Sequence, residues 1–198
     1  MQLFNLYLQL GFEHIADFAG YDHILFIITL CGVYLFSQWR QVLILITAFT
    51  IGHSITLALA SLQVLTFPTK LIEFLIPVTI FITALSNILA KRTTYSETNY
   101  YFRYSMALFF GLIHGLGFSN YLRSLLGLEI SIIKPLFAFN LGLELGQIAI
   151  VFIILSFAYL FVTKLKTLQR EWNLIISGAG LGISLIMSVE RFHVLINN

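Results

Sequence analysis

Residues 42–67 read VLILITAFTIGHSITLALASLQVLTF, a run of 26 residues without Lys, Arg, Asp or Glu. The run exceeds the ~20 apolar residues that an α-helix needs to cross the ~30 Å hydrocarbon core of a bilayer. Its one ionisable side chain is His53, near the middle of the run. The stretch therefore predicts a transmembrane helix that carries a titratable group inside the membrane.

The whole chain has the same apolar character. Of its 198 residues, 59% are hydrophobic and 10% are charged, and the mean hydropathy is +0.91. A soluble domain carries about 25% charged residues, and disordered, coiled-coil or nucleic-acid-binding chains need more charge still. The composition predicts a multi-pass membrane protein in the lipid bilayer, and at a net charge of +2 no nucleic acid or other acidic partner is expected.

Six apolar runs predict an all-α polytopic membrane bundle of about six transmembrane helices, in a single domain covering residues 1–198. The N-terminal segment has a polar residue at every fourth position of an otherwise apolar helix. That pattern favours an interfacial amphipathic helix over a seventh span. The polar positions are Asn5, Gln9, Glu13 and Asp17. The predicted spans are Tyr21–Ser37, Val42–Phe67, Thr69–Leu89, Phe102–Leu126, Lys134–Thr163 and Trp172–Val189.

The connections between the runs carry most of the basic residues, and these predict the orientation. With both termini outside, seven of the eleven Lys and Arg residues lie on the cytoplasmic side and four lie outside. The positive-inside rule favours this arrangement. We expect an integral protein of the bacterial inner membrane with both termini outside.

Three histidines and three acidic residues fall inside the apolar runs. An ionisable group at such a depth is costly unless it is paired, neutralised or hydrated, so it marks a functional site. With no basic partner expected in the same layer, the carboxylates must be protonated, meet water or bind a cation. The six residues are Asp22, His23, His53, Glu73, His114 and Glu144.

Two of these residues stand inside GxxxG motifs, which let helices approach closely. His114 lies within Gly111–Gly115 and Glu144 within Gly142–Gly146, while Asn140 shares a helix face with Glu144. At 1.5 Å per residue the ionisable groups lie about 6 to 20 Å from the outer helix ends. One chamber in the outer half of the bilayer is therefore expected, although a single membrane histidine is as often just hydrogen-bonded across helices.

The donor types limit the cation that such a chamber would bind. Cys31 is the only cysteine, so neither a disulfide nor a thiolate cage can form within the chain. Imidazole and carboxylate donors without thiolate suit Ni²⁺, Co²⁺, Zn²⁺ or Fe²⁺. An all-oxygen Mg²⁺ site would not use this many histidines.

The segments around these residues resemble the HupE/UreJ family, membrane proteins encoded alongside hydrogenase and urease systems. The resemblance implies a permease for Ni²⁺ or a related divalent metal, and it adds His14 to the candidate ligands. One motif differs, because seven residues separate His14 from Asp22 where the family usually has five. The matching segments are GYDHILF (Gly20–Phe26), FTIGHSITL (Phe49–Leu57), Glu73, FGLIHGLGFS (Phe110–Ser119) and FNLGLELGQ (Phe139–Gln147).

We therefore predict a permease that binds and translocates a divalent transition metal, with Ni²⁺ or Co²⁺ preferred over Zn²⁺ or Fe²⁺, rather than an enzyme. A second copy of the chain or a metalloenzyme maturation protein is a candidate partner. The alternative is an intramembrane zinc-dependent hydrolase of lipid or membrane peptide, in which three histidines hold Zn²⁺ and a carboxylate acts as base. Haem ligation by His53 and His114 and a purely structural role are weaker alternatives.

Overall fold

The structure is a computed structural model that describes residues 2–18, 20–90, 97–126 and 132–197. These residues form helices joined by short connections and contain no strand, which confirms the all-α membrane bundle. The helices are α1 Gln2–Ala16, α2 Asp22–Cys31, α3 Trp39–Ser61, α4 Thr69–Leu89, α5 Glu97–Leu126, α6 Ile133–Ala158 and α7 Gln169–Ile196. A 3₁₀ turn, Phe36–Gln38, precedes α3, and a π-helical turn, Tyr159–Lys164, extends α6.

Four helical segments of the described residues are long and apolar enough to cross a membrane. Their most apolar 18-residue windows have mean hydropathies between 1.6 and 2.4. The helix α5 contains the predicted span 102–126 and is also long, at 30 residues, but it is more polar than these four. The four segments are Phe36–Ser61, Thr69–Leu89, Ile133–Lys164 and Gln169–Ile196.

The first predicted span, Tyr21–Ser37, is shorter in the structure than in the sequence pattern. Its helix, α2, has 10 residues and is therefore about 15 Å long, half of the ~30 Å hydrocarbon core. The helix ends at Cys31, where the backbone N–H of Gly32 turns back to the Thr29 carbonyl at 3.1 Å. Close packing explains the glycine, since a Cβ at Gly32 would stand 3.1 Å from the side chain of Ile176 in α7.

The N-terminal helix α1 packs lengthwise along α6. Gly142 of α6 lies against the backbone of Leu8, and one turn further on Gly146 lies against the backbone of Phe12. A Cβ at Gly142 would stand 1.9 Å from the Leu8 carbonyl oxygen, so only glycine permits this approach. Because residue numbers rise together along the contact, the two helices are parallel. A helix beside a candidate span lies along that span, which differs from the interfacial position expected from the sequence.

Together α1 and α2 make one interrupted crossing of the bundle. The first begins at the end where α6 starts, since the Tyr7 hydroxyl donates to the Leu125 carbonyl at 3.3 Å, near the end of α5. The second finishes at the opposite end, where the Gln169 side chain of α7 donates to the Val33 carbonyl at 3.0 Å. Both helices therefore run in the same direction, with a break between Ala16 and Asp22.

The helices α3 and α5 approach each other through glycines on both sides. A Cβ at Gly52 of α3 or at Gly111 of α5 would stand 2.2 or 2.1 Å from a carbonyl oxygen of the facing helix. Gly115 of α5 lies equally close to the carbonyl of His53. This packing, which the GxxxG motif predicted, holds the backbones of His53 and His114 on facing helices.

A polar network joins four helices at the end of the bundle where α6 finishes. The side chain of Asn87 in α4 donates to the Thr29 carbonyl of α2 at 2.7 Å and accepts from Arg103 of α5 at 3.1 Å. Asn173 of α7 donates to the Asn87 backbone carbonyl at 2.9 Å. The buried amides are thereby paired, and the network closes that end of the bundle around α2.

Candidate metal centre

Two histidines meet at the break between α1 and α2. His14 lies in the last turn of α1 and His23 in the first turn of α2. Their ring centroids are 4.6 Å apart. In one continuous helix, residues nine positions apart would be separated by about 13.5 Å along the axis. The break is therefore what brings the two imidazoles together.

A third histidine completes the group from another helix. The ring centroid of His53 in α3 lies 6.1 Å from those of both His14 and His23. One potential ligand atom from each of the three lies within 4.8 Å of the others. Metal–nitrogen bonds of 2.0–2.1 Å in a tetrahedron place ligand atoms about 3.4 Å apart. Side-chain shifts of about 1.4 Å at most would therefore bring the three onto one ion.

The ring nitrogens of this group lack partners within the described part of the chain. Nε2 of His14, Nε2 of His23 and both ring nitrogens of His53 are buried without a hydrogen bond. Buried polar side-chain atoms in proteins are paired in the large majority of cases. Orphaned nitrogens from three helices in one place therefore fit a common cation, which is the partner that neutral imidazoles accept.

Asp22 orients His23 rather than joining the three ligand atoms. Its Oδ1 lies 3.0 Å from Nδ1 of His23 and also accepts the backbone N–H of His23 at 2.8 Å. With Nδ1–H donating to the carboxylate, Nε2 of His23 keeps its lone pair for a metal, as in carboxylate–histidine–metal arrangements. The N-terminal turn of α2 favours the carboxylate there through the helix dipole.

His114 of α5 lies beside the group as a fourth imidazole. Its ring centroid is 5.1 Å from that of His23, and the side chain is completely buried. Nδ1 lies 2.8 Å from the Phe110 carbonyl one turn earlier, so Nδ1–H donates to that oxygen. Nε2 then carries the lone pair and has no partner among the described residues. His114 is therefore placed to serve as a fourth ligand or as the next position for an ion.

Aromatic rings surround the four imidazoles. Phe49 lies 5.0 Å from His114 between ring centroids, and Phe26 lies 5.3 Å from the same ring. Phe118 packs on His14 at 3.8 Å. Sequence analysis did not single out these rings, although Phe118 stands four residues after His114 and so shares its helix face. Their apolar walls lower the local dielectric and strengthen the attraction between a cation and its ligands.

The structure does not bring Glu73 to this group. Its Oε2 lies 3.1 Å from Nη1 of Arg191, and both side chains are partly exposed. The expectation that the acids have no basic partner in their layer is therefore wrong for Glu73. The physical reason is that α7 packs along α4 and returns a C-terminal arginine to the start of α4, a tertiary contact that hydropathy does not show.

The polar stripe on α6 faces α3 rather than the converging ligand atoms. Oε1 of Glu144 accepts the Thr47 hydroxyl at 2.7 Å, and Oε1 of Gln147 accepts the Thr50 hydroxyl at 2.8 Å. The amide of Asn140 donates to a backbone carbonyl of its own helix at 2.9 Å. These contacts form a hydroxyl–carbonyl seam between α3 and α6 beside the histidines.

The family model described as "HupE / UreJ protein" matches residues 1–192. The chain belongs to the HupE/UreJ family. The match includes all four histidines of the centre and extends through most of α7, beyond the segments that carried the resemblance. Searches of curated proteins and of solved structures gave no significant match to this HupE/UreJ protein. Family membership suggests a metal-related role, as a nickel or cobalt transporter or accessory protein, and with four apolar helices it fits an integral membrane protein.

Proposed function

We propose that this HupE/UreJ protein is a permease, built as one membrane domain, that translocates a divalent transition metal. The observation that carries the proposal is the meeting of His14, His23 and His53, from three helices, with unpartnered ring nitrogens inside the bundle. Nitrogen donors without thiolate suit Ni²⁺ and Co²⁺, and also Zn²⁺. Ni²⁺ or Co²⁺ is the proposed substrate because the family suggests these two metals.

The interrupted crossing supports transport rather than storage. Transporters commonly place their substrate sites where membrane helices are discontinuous, and irregular backbone at membrane depth is tolerated where it lines a cavity or is buried in protein. Here one ligand stands on each side of the break, His14 on α1 and His23 on α2. A shift of α1 against α2 would therefore make or dismantle the ligand set, which is the requirement for taking up and releasing an ion.

A route away from the histidines is available along α3. We place both termini outside, so that α3 begins at the inner end of the bundle and the histidines lie in the outer half. Thr47 precedes His53 by six residues, about 9 Å closer to the inner end. The Glu144 carboxylate bound to Thr47 is therefore the next anionic group for an ion that leaves the imidazoles, with Asn140 on the same face of α6.

The hydrolase alternative has weaker support from the geometry. Three histidines and an open position are also the ligand set of catalytic zinc, so the donor set alone does not separate the two functions. A hydrolase also needs a free carboxylate as base. Asp22 is bound to His23, and Glu144 is bound to Thr47. The two carboxylates that the sequence offered for this role are thus already engaged.

Metal content of the purified protein tests the centre. After equilibration with Ni²⁺ and removal of free metal, we expect about one ion per chain in the wild type and less than a tenth of that in His23→Ala and His53→Ala. His193→Ala is the matched control, because His193 is exposed near the end of α7 and bonds only to Asn197. Equal metal in all four proteins would refute the centre.

Uptake into proteoliposomes then tests transport. Vesicles with an internal Ni²⁺-sensitive dye should respond to external metal with the wild type and His193→Ala, and give no response above protein-free vesicles with His53→Ala. Tightly bound stoichiometric Zn²⁺ without any uptake would refute the permease and favour the hydrolase.

A further inference from the structure

The polar face of α1 is exposed even though α1 stands beside a candidate span. The opposite face of the helix is buried against α6, which fixes the direction of the polar face. Carboxylates at membrane depth are costly when they face lipid, so a face that bears two of them needs water or protein in front of it. The exposed polar residues, spaced four apart, are Asn5, Gln9, Glu13 and Asp17.

A cavity of about 720 Å³ opens at the end of this polar face nearest the break. Its lining includes Glu13 and Asp17 from α1 and the rings of Phe118 and Tyr121 from α5. A divalent cation with six waters occupies about 180 Å³ at ~30 Å³ per water. The cavity therefore has room for a hydrated ion, with carboxylates on one side and aromatic rings on the other.

One side chain belongs both to this cavity and to the metal centre. The ring of His14 lines the cavity, while its centroid lies 4.6 Å from that of His23. Its Nε2 is fully buried and has no partner among the described residues. An ion in the cavity is thus separated from the converging imidazoles only by a side chain that can itself bind metal.

We propose that Glu13 and Asp17 form a recruitment site that holds a hydrated divalent cation in this cavity and passes it to His14. This inference rests on the proposed function. Carboxylate oxygens bind hydrated divalent cations with rapid exchange, and imidazole nitrogen binds Ni²⁺ and Co²⁺ more strongly. The transfer is a ligand exchange, in which the nitrogen replaces water and carboxylate oxygen on the ion and no covalent bond of the protein changes.

The geometry of Glu13 supports this role. Its Oε1 accepts the side-chain amide of Gln9 at 2.7 Å, one turn earlier on the same face. That hydrogen bond orients the carboxylate without neutralising its charge. Two negative charges at the mouth of a low-dielectric cavity raise the local concentration of cations and the rate of their association. The expected consequence is fast loading of the centre, with no change in its final affinity.

Stopped-flow binding of Co²⁺ tests the proposal on the full chain in nanodiscs of zwitterionic phosphatidylcholine. The d–d absorption of Co²⁺ bound by the histidines reports both the rate and the amplitude. At low salt we expect Glu13→Gln combined with Asp17→Asn to slow association about tenfold, with an unchanged amplitude at saturating Co²⁺. Glu13→Asp, which keeps the charge, should retain most of the rate. Glu190→Gln is the matched control, because Glu190 is an exposed acid of α7 outside the cavity lining.

Wild-type protein alone supplies a second measurement. Its association rate should fall as salt is raised to about 0.5 M, where the Debye length is only ~4 Å. A double variant that loads as fast as Glu190→Gln, or a wild-type rate that does not depend on salt, would overturn the recruitment site. A wild type without any Co²⁺ signal, or an unchanged signal in His53→Ala, would instead refute the proposed function.

Discussion

The substitution Asp22→Asn separates an orienting residue from a metal ligand. In the structure, Oδ1 of Asp22 lies 3.0 Å from Nδ1 of His23. Asparagine keeps an oxygen at this position and can still accept the Nδ1–H, but it removes the negative charge. A hydrogen bond to a charged group contributes about 1.5–3 kcal/mol, and a neutral one contributes about 0.5–1.5 kcal/mol. The change therefore weakens the support of His23 by about 1–1.5 kcal/mol.

The expected effect on metal affinity follows from that difference. A loss of 1.4 kcal/mol corresponds to about tenfold in Kd, and loss of an orienting partner of a metal-bound histidine typically costs about 10–100-fold. We expect Asp22→Asn to raise the Kd for Ni²⁺ by about tenfold. We expect Asp22→Ala, which removes the hydrogen bond as well, to approach the upper end of that range.

Competition against a chromophoric chelator measures these Kd values on purified protein in detergent. His23→Ala, which removes the ligand itself, sets the scale for complete loss of one metal bond. An Asp22→Asn protein with a Kd within twofold of the wild type would refute the orienting role. A loss as large as that of His23→Ala would show that Asp22 binds the metal directly.

Three further outcomes are expected. Glu73→Gln should leave the Kd for Ni²⁺ within about twofold of the wild type, because Glu73 is paired with Arg191; a loss of about tenfold in the same competition assay would place its carboxylate in the centre. Gly111→Leu should lower the thermal unfolding midpoint in detergent by several degrees or prevent folding, since even a Cβ would stand 2.1 Å from the Phe49 carbonyl, whereas Gly182→Leu, with nothing within 4 Å, should have little effect. Lowering the pH from about 7.5 to about 5 should weaken Ni²⁺ binding about tenfold or more, because each imidazole must lose its proton to bind the metal; a Kd independent of pH by titration calorimetry would contradict histidine ligation.

Hydropathy predicted most of the fold because long apolar runs have few alternatives to membrane helices. The helix α4 begins and ends where the sequence placed it, at Thr69 and Leu89, since Pro68 precedes it and the apolar run stops after it. The same reasoning did not detect the break before Asp22. An average over about 20 residues treats α1 and α2 as a polar segment and a full span. It carries no information about the α6 backbone against which α1 packs.

The ligand types were predictable from the sequence, but their grouping was not. An isolated histidine such as His53 in a 26-residue apolar run is conspicuous wherever the helix lies. Which of the other groups meets it depends on helix rotation and tertiary contacts, which single-sequence patterns do not contain. Arg191 takes Glu73 away from the group and Thr47 binds Glu144. His14, in contrast, enters the group because the chain turns between it and Asp22.

The charge of the centre bears on whether a bound ion is cargo or a resident cofactor. A divalent ion on neutral imidazoles brings two positive charges into a buried site. Within the described residues, Asp22 is the only carboxylate within 4 Å of any histidine of the group, so one positive charge is left uncompensated. Uncompensated charge in a low-dielectric interior is costly. A centre of this composition therefore holds an ion less tightly than a neutral one would, which suits a cation that must leave again. The carboxylates of Glu13 on one side and Glu144 on the other are then the groups that attract it inward and onward.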